Sequence, residues 1–351
     1  MTEQERTDKD SEGARGGTRE RRPTMADIAR HVGVSRPLVS IVLRGAEGAS
    51  EATRERVLNA AAELGYRPDS LAQGLRSNRT RHLGVLFALR RPFEVELVEQ
   101  MFPIVEQLGY HLLLGATTQT RGQEAVTDEL LRYRCEGLIV VGPELNGHRL
   151  EPVAEEVPVV EIGRSVTRGR VDVVRNDDAL GTRQAVDHLV SLGHRSIAFI
   201  DGGANPGAEA RQAGYRAAMT SHDLTSEIRV VPGGYTEDEG AKAAQLLLAD
   251  GLPTAVIASN DLSAIGLLDS MLRAGVKVPQ DLSVVGYDDL PVTEWIGPPL
   301  TTIHQPLYEM AATATRMVLA VARGEAPANP RIELGTELVI RESTAPPATV
   351  S

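Results

Sequence analysis

From residue 83 onward, short apolar runs alternate with longer stretches of helical periodicity, and this alternation constrains the fold most strongly. The runs read LGVLFA, YHLLLGA, GLIVVG, VPVVEI, SIAFID, TAVIAS and LSVVGY. The helical patterns cover residues 94–108, 124–134, 181–192, 208–219 and 236–249. Short continuous apolar strands that alternate with helices indicate βαβ units, whose parallel sheets are covered by helices on both faces. These elements are more than one open sheet usually accommodates, so we expect two doubly wound lobes.

The residues before this region predict a small helical unit instead. Thr24 and Asp27 match a capping box that begins a first helix, Gly33 ends it, and Ser35 begins a second helix two residues later. A third helix is predicted for residues 51–64. The predicted inner faces are Met25, Ile28, Ala29 and Val32; Val39, Val42 and Leu43; and Val57, Leu58, Ala61 and Leu64. A tight glycine turn between two short helices is typical of a helix-turn-helix.

The second helix has an outward face, formed by the residues that are not assigned to the core. That face consists of Arg36, Pro37, Ser40, Ile41 and Arg44. In a helix-turn-helix, the N-terminal end of this helix meets base edges in the major groove. An arginine there can donate two parallel hydrogen bonds to O6 and N7 of guanine. We therefore predict that this face binds DNA; an ordinary three-helix bundle is the alternative.

The charge distribution agrees with a DNA-binding head. Residues 1–82 contain 15 Lys and Arg against 12 Asp and Glu, whereas the remainder contains 22 against 36. The overall net charge of -11 therefore hides a modestly basic head on an acidic body. Such a head suggests a polyanion-binding module, although a solvated surface helix is the commoner cause of a basic stretch.

Composition excludes several other classes. No apolar run approaches the roughly 20 residues that a membrane span needs. Residues 1–22 contain almost no apolar side chains, so we expect a disordered tail and no secretory signal. Cys135 is the only cysteine, which excludes an internal disulfide and a thiolate zinc site. We expect a cytoplasmic protein with no metal and no cofactor.

Several ordered motifs resemble one family. The segments TMADIARHVGVS, VSIVLRG, ASEATRERV, AAELGYRPDSLAQGLRSNRT, GYDD and PPLTTI are similar to those of the lactose-repressor (LacI/GalR) family of bacterial transcription regulators. The resemblance extends from Pro23 to about Thr344. It implies an all-α helix-turn-helix head and an α/β core of two lobes, like a type I periplasmic binding protein. The chain would cross between the lobes three times, with a ligand in the cleft.

The resemblance also implies a division of the chain. We expect a disordered tail (1–22), a helix-turn-helix domain (23–67), a hinge helix with linker (68–82), a two-lobed effector-binding and dimerisation domain (83–345) and a C-terminal tail (346–351). Thr24 and Ser35 join the outward face of the second helix in the predicted DNA-binding set. The hinge helix would enter the minor groove at the centre of a palindromic operator. Leu75 would wedge between base steps there; packing onto the body is its alternative role.

Ligands of open α/β sheets bind beyond the carboxyl ends of the strands. Asn260 follows the run TAVIAS, Asp288 follows LSVVGY, and Arg211 lies in the helix after SIAFID. The resemblance implies that these three residues hydrogen-bond the hydroxyls of an effector. It also matches Tyr235 to an aromatic ring on which a sugar stacks, and Phe93 to the aromatic residue after the first strand. Taken singly, a polar residue after a strand is more often a helix cap.

Some positions depart from the family pattern. Leu38, Ile41 and Arg44 stand at recognition-helix positions where the family usually has other residues, so an operator sequence cannot be transferred from relatives. Arg90 and Arg91 follow the first strand, where small or amide side chains are common. Two arginines in the cleft would favour an anionic effector such as a sugar phosphate; solvent-facing arginines are the alternative.

These features predict an allosteric DNA-binding regulator, by default a repressor, with a sugar or sugar derivative as effector. The C-terminal segment RESTAPPATVS contains no leucine heptad, so we expect a homodimer rather than a tetramer. A periplasmic solute-binding protein would share the two lobes, but the helix-turn-helix argues against it. An enzyme is disfavoured because no phosphate-binding loop with lysine, no G-x-S-x-G and no H-E-x-x-H motif occurs.

Overall fold

The computed structural model describes residues 23–66, 79–143, 150–163, 171–325 and 330–348. Its contacts divide the chain between Asn78 and Arg79 into two compact units, a head and a body. The predicted disordered tail, Leu75 and most of the predicted hinge segment lie outside the described residues.

The head contains three helices, and local signals set their ends. They are α1 (Met25–Val32), α2 (Arg36–Leu43) and α3 (Glu51–Glu63). Gly33 follows α1 with φ 74°, a conformation that suits glycine and ends the helix as predicted. The predicted inner residues form one buried cluster. Leu58 is the exception: its side chain is 47% exposed, because the cluster meets α3 along the Val57, Ala60 and Ala61 face.

The body alternates strands and helices along nearly its whole length. In chain order its elements are β1 (His82–Ala88), α4 (Pro92–Gln107), β2 (His111–Thr117), α5 (Gln123–Arg132), β3 (Gly137–Val141), α6 (Leu150–Glu156), β4 (Val159–Ile162), β5 (Asp172–Asn176), α7 (Asp178–Ser191), β6 (Ile197–Ile200), α8 (Ala208–Ser221), β7 (Arg229–Val231), α9 (Glu237–Asp250), β8 (Ala255–Ala258), α10 (Asp261–Arg273), β9 (Ser283–Val285), β10 (Thr302–His304), α11 (Leu307–Ala322), β11 (Arg331–Leu334) and β12 (Glu337–Val339). Short 3₁₀ turns lie at Thr225–Glu227 and Pro291–Glu294.

These elements form two lobes, each built on a parallel sheet. The sheet of lobe 1 has the order β11-β5-β4-β3-β1-β2, and that of lobe 2 has the order β7-β6-β8-β9. All described pairings within both sheets are parallel. Each sheet has buried apolar clusters on its faces. The prediction of two doubly wound lobes is confirmed.

The chain passes between the lobes three times, as the family resemblance implied. The first passage leads from β5 in lobe 1 to α7 in lobe 2. The second leads from β10 to α11, which packs on α4 and on the sheet of lobe 1, and the third leads from β11 to β12. Strands β10 and β12 pair antiparallel with each other beside lobe 2. The polar residues next to these passages are therefore brought to the space between the lobes.

Candidate functional site

The predicted DNA-facing residues lie on one side of the head. Arg36, Pro37 and Arg44 are exposed, and Ser40 and Ile41 are partly buried. The Arg36 side chain makes no hydrogen bond or ion pair within the described part of the chain. Arg44 donates from Nε to the backbone carbonyl of Ser40 at 3.0 Å, which leaves its remaining N–H groups on the exposed side. The face is thus polar, basic and open to a partner.

Thr24 and Ser35 are placed at the beginnings of helices. The Asp27 carboxylate accepts hydrogen bonds from the amide of Thr24 at 2.8 Å and from its hydroxyl at 2.7 Å. The Ser35 hydroxyl accepts from the amide of Leu38 at 3.4 Å. Both residues therefore orient α1 and α2. Their assignment to DNA contact stays a prediction, and Leu75 lies outside the described residues.

A cavity of about 380 Å³ lies between the two lobes of the body. It brings together all five residues predicted to bind an effector. They are Phe93, Arg211, Tyr235, Asn260 and Asp288. Phe93 comes from lobe 1 and the other four come from separate segments of lobe 2. The cleft therefore gathers aromatic, cationic, amide and carboxylate groups that are far apart in the chain.

Arg211 lies at the centre of the polar part of the cleft and is 5% exposed. Its Nε donates to Oδ1 of Asp178 at 2.8 Å, and its Nη1 donates to the Ser259 carbonyl at 2.6 Å. Oδ1 of Asp288 lies 3.7 Å from Nη1. The guanidinium carbon also lies 3.6 Å from the ring centroid of Tyr287. A buried arginine held by two carboxylates and an aromatic face is rigid and stays charged.

Asp178 reaches Arg211 because no side chain intervenes at Gly207. A Cβ atom at Gly207 would lie 2.8 Å from Oδ2 of Asp178, and its φ of 78° also favours glycine. Asp178 is the first residue of α7, directly after the first passage between the lobes. The glycine before α8 therefore allows helices α7 and α8 to bring an aspartate and an arginine into contact.

Asp288 is linked to lobe 1 through two amides. Gln305, on the second passage, donates from Nε2 to Oδ1 of Asp288 at 2.6 Å. Nδ2 of Asn176, at the end of β5, donates to Oε1 of Gln305. Oδ1 of Asn176 is buried and has no partner within the described residues, and Asn176 lines the cavity. The cleft thus contains a carbonyl oxygen that can still accept a hydrogen bond.

Asn260 and Tyr235 support each other. Oδ1 of Asn260 accepts from the Ser263 amide at 2.9 Å and so caps α10, while its Nδ2 donates to the Tyr235 carbonyl at 3.1 Å. The Tyr235 hydroxyl donates to the Pro206 carbonyl at 2.6 Å. Its ring centroid lies 5.4 Å from the guanidinium carbon of Arg211. Asn260 therefore caps a helix, as single polar residues after a strand often do, and it also lines the cleft.

The two adjacent arginines of lobe 1 differ sharply. Arg91 donates from Nη1 to Oε1 of Glu94 at 3.0 Å and from Nη2 to Oδ1 of Asn205, in lobe 2, at 3.2 Å. Arg90 is exposed and makes no ion pair within the described residues, although it lines the same cavity. Arg91 is therefore already paired within the protein and bridges the cleft, whereas Arg90 does neither.

Two carboxyl groups of the cleft have strongly raised pKa values. Burial raises the pKa of Asp288 to about 7, and the nearby Asp178 adds to this, although Arg211 and Gln305 act in the opposite direction. Burial also raises the pKa of Glu94 to about 7 against the lowering effects of Arg91 and of the Ala88 amide. Perturbed carboxyl groups gathered in one cleft are typical of a functional site.

Sequence reasoning missed Asp178, Asn176 and Gln305. Strand β5 reads DVVRN, which is short and carries a charged residue in its middle, so its end was not recognised as a place for site residues. Gln305 lies between β10 and α11, neither of which was predicted. The rule that ligands bind beyond strand ends would have indicated Asn176 and Asp178 once β5 was known.

Two further features of the described residues concern metal ions and membranes. No group of three or more His, Cys, Asp or Glu residues is arranged to hold a metal ion there. None of the helices in the described ranges is long and apolar enough to cross a membrane.

A helix-turn-helix head and a two-lobed body with a polar cleft define the class of ligand-responsive DNA-binding regulators, and the comparisons with known proteins agree. Residues 24–69 match the bacterial regulatory proteins of the lacI family, and residues 186–344 match the periplasmic binding protein-like domain. The HTH-type transcriptional regulator DegA of Bacillus subtilis (strain 168) is 32% identical over 331 residues, covering 92% of this chain and 98% of that protein.

Solved structures show the same likeness. The lac repressor dimer bound to operator and the anti-inducer ONPF is 29% identical with a TM-score of 0.80, covering 93% of this chain and 100% of that one. The complex of the transcriptional regulator CelR with cellobiose is 30% identical with a TM-score of 0.68, covering 92% and 100%. The chain belongs to the LacI family of bacterial regulatory proteins and is a DNA-binding transcriptional regulator. The alternative of a periplasmic solute-binding protein is not supported, because the lacI-family match covers the head.

Proposed function

We propose that this protein is a repressor that binds a palindromic operator as a homodimer and responds to a small hydroxylated effector in the interlobe cleft. The effector is a sugar or a close derivative. The head (23–67) reads the operator with Arg36, Pro37, Ser40, Ile41 and Arg44. The hinge (68–82) carries Leu75 into the minor groove, and the body (83–345) binds the effector and dimerises.

The convergence of five predicted residues on one cavity carries this proposal. Arg211 and Asp288 offer a donor fork and a carboxylate, which together suit adjacent hydroxyl groups. Tyr235 and Phe93 offer aromatic surfaces for the apolar C–H face of a ring. The buried Oδ1 of Asn176 adds an acceptor whose hydrogen bond a ligand hydroxyl would supply. The cellobiose complex of the related regulator CelR supports the same ligand class, and the operator-bound lac repressor supports a dimer on DNA.

The charges of the cleft favour an uncharged effector over a sugar phosphate. Arg91 is paired with Glu94, and Arg211 is held by Asp178 and Asp288. A phosphate would have to compete with these carboxylates for the arginines. We further propose that the protein acts in the cytoplasm, where it meets DNA, and that it works by binding alone, without catalysis.

Effector coupling follows from linkage. Asp288 contacts Gln305 on the second passage, and Arg91 contacts Asn205 across the cleft, so a ligand among these groups favours one arrangement of the lobes. A ligand that binds one arrangement of the lobes more tightly than another changes the affinity of the protein for its operator. The operator changes the affinity for the ligand by the same free energy, typically about 1–3 kcal/mol.

A thermal-shift panel tests the ligand class. Ribose, glucose, cellobiose, glucose 6-phosphate and adenosine are each added to the full-length protein. A ligand at 100 times its Kd stabilises by about 2.7 kcal/mol. We expect a neutral sugar to give the largest shift, whereas no shift from any sugar would contradict the proposal.

Operator binding then tests the site. DNA is selected from a random pool, and its affinity is measured with and without the sugar that gives the largest shift. We expect Arg211→Ala and Asp288→Ala each to abolish the effect of the sugar while they retain DNA affinity in its absence. Arg273→Ala, an exposed arginine of lobe 2, is the matched control. A wild-type response in both cleft variants would place the effector elsewhere.

A further inference from the structure

The turn that carries Asp288 into the cleft has an unusual backbone. Asp288 and Asp289 are consecutive residues with positive φ, at 121° and 60°. Non-glycine residues rarely adopt these conformations, and they persist only where the surroundings hold them in place. The direction of the Asp288 carboxylate therefore depends on whatever holds this turn.

Backbone hydrogen bonds hold the two flanks of the turn. The Asp288 amide donates to the Ile303 carbonyl at 2.9 Å, and the Leu290 amide donates to Oδ2 of Asp261 at 2.8 Å. Asp261 is fully buried and also accepts from the Thr302 hydroxyl, so its carboxylate has a structural role. These bonds leave Asp289, the middle of the turn, to be held through its side chain.

Two other segments hold the side chain of Asp289. Nη2 of Arg341, from the segment after β12, donates to Oδ1 at 2.6 Å, and Nδ1 of His304 lies 2.9 Å from Oδ2. Arg341 also donates from Nη1 to the Leu300 carbonyl at 2.9 Å and to the Thr293 hydroxyl at 3.2 Å. Its side chain is only 15% exposed. Arg341 thus ties the turn to the loop before β10 with several bonds at once.

We propose that Arg341 is a positioning residue for effector recognition. It fixes Asp289 and thereby holds the strained turn that directs the Asp288 carboxylate into the cleft. Arg341 does not line the cavity, so it acts through Asp289 and not by contact with a ligand. The proposal rests on the proposed function, since it assigns a support to the residue that the effector would touch.

The same network reaches the passage between the lobes. His304, which contacts Asp289, is directly followed by Gln305, whose amide donates to Asp288. Each aspartate of the turn is therefore held by one of two adjacent residues of the same segment. Loss of Arg341 should loosen both the direction of Asp288 and its link to this passage.

The experiment uses the full-length protein and the neutral sugar with the largest thermal shift in the panel above. Three quantities are measured: the sugar concentration at half-maximal effect on operator binding, the operator affinity without sugar, and the thermal midpoint. The variants are Arg341→Met, Asp289→Asn and the double variant. Asn tolerates a positive φ but carries no charge for Arg341. Arg273→Met removes an exposed arginine–aspartate pair of the same lobe and is the matched control.

We expect Arg341→Met and Asp289→Asn each to raise the half-maximal sugar concentration about tenfold or more, with operator affinity without sugar unchanged. The double variant should lose no more sugar response than the more affected single variant, because the proposal has Arg341 act on the cleft only through its bond to Asp289, which both substitutions remove. Arg341→Lys should restore part of the response, since an ammonium can reach Asp289. It also serves as the test if Arg341→Met does not fold.

Several outcomes would overturn the proposal. A lower thermal midpoint of Arg341→Met, together with a half-maximal sugar concentration equal to that of Arg273→Met, would make Arg341 a purely structural residue. Losses that multiply in the double variant would show two independent effects. A retained sugar response in Asp288→Ala would overturn the proposed function itself. If Asp288→Ala abolishes the response while Arg341→Met and Asp289→Asn keep it, only the positioning role fails.

Discussion

The outward face of α2 and the interlobe cleft use arginine in opposite ways. Arg36 is exposed and has no partner within the described residues, whereas Arg211 is 5% exposed and is held by Asp178, Asp288 and a backbone carbonyl. An exposed guanidinium is hydrated and needs no partner within the protein. A buried one needs partners in the protein itself, because an unpaired buried charge is very costly.

This difference predicts how the two regions respond to substitution. Removal of an outward side chain of the head should affect DNA binding and leave folding almost unchanged. Removal of a cleft side chain should affect folding as well, because its former partner stays buried.

Asp178→Ala should lower the free energy of unfolding of the body by about 3–5 kcal/mol, because Arg211 would lose the carboxylate 2.8 Å from its Nε. Denaturant unfolding of the full-length protein, followed by a signal from the body, measures the change. The control is Asp187→Ala, which breaks an exposed pair with His222 and should cost only about 0–1 kcal/mol. Equal midpoints for the two variants would show that the cleft tolerates an unpaired arginine as the head does.

Glu94 should make the stability of the body depend on pH. Its pKa is raised to about 7 in the folded protein from an ordinary value of 4.5, so the folded state holds the proton more tightly than the unfolded chain. The resulting stabilisation is fully present below about pH 4.5 and is lost as the pH rises to 7, with a total on the order of 3 kcal/mol. Unfolding measured from pH 5 to 7.5 should show this decline, and Glu94→Gln should reduce its slope. An unchanged slope in Glu94→Gln would assign the dependence to other groups.

Arg36→Ala should weaken binding to the selected operator by about 1–3 kcal/mol and relax the preference at one base pair in each half-site. Because Arg36 is exposed, its removal should change the free energy of unfolding by no more than about 0.5 kcal/mol. Binding to operator and to random DNA is measured at the same salt concentration. Equal losses on both DNAs would show that Arg36 contacts phosphate and does not read a base.

The head could be predicted closely from sequence because its signals are local. Thr24, Gly33 and Ser35 mark helix ends within a few residues, and helical periodicity assigns the inner faces. Leu58 shows the limit of that reasoning. It is apolar and lies beside the inner face of α3, so it was predicted to be in the core, but its side chain is exposed.

The cleft depends on contacts between distant segments, so it could be predicted only in part. The resemblance supplied Phe93, Arg211, Tyr235, Asn260 and Asp288, which now line one cavity. Asp178 was missed because the strand before it, β5, is short and carries a charged residue, and Gln305 was missed because neither β10 nor α11 was predicted. Nor does any local pattern reveal that Arg341, more than fifty residues after Asp288 in the chain, supports the same turn.

The adjacent pair Arg90 and Arg91 gives the smallest and most discriminating test of the contrast. The sequence offers no reason to treat these neighbours differently, but only Arg91 contacts Glu94 and Asn205. Arg91→Ala combined with Asn205→Ala in a double-mutant cycle should show a coupling of about 0.5–1 kcal/mol in the unfolding of the body, since a half-exposed hydrogen bond contributes little. Arg90→Ala should change that free energy by less than about 0.5 kcal/mol. The thermal shift with glucose 6-phosphate is compared in the same variants. Two results together would contradict this contrast: an equal loss of the thermal shift with glucose 6-phosphate in Arg90→Ala and Arg91→Ala, and no coupling in the cycle. Both arginines would then be free to bind a partner, as Arg36 is, and the difference between head and cleft would not hold at this edge of the cleft.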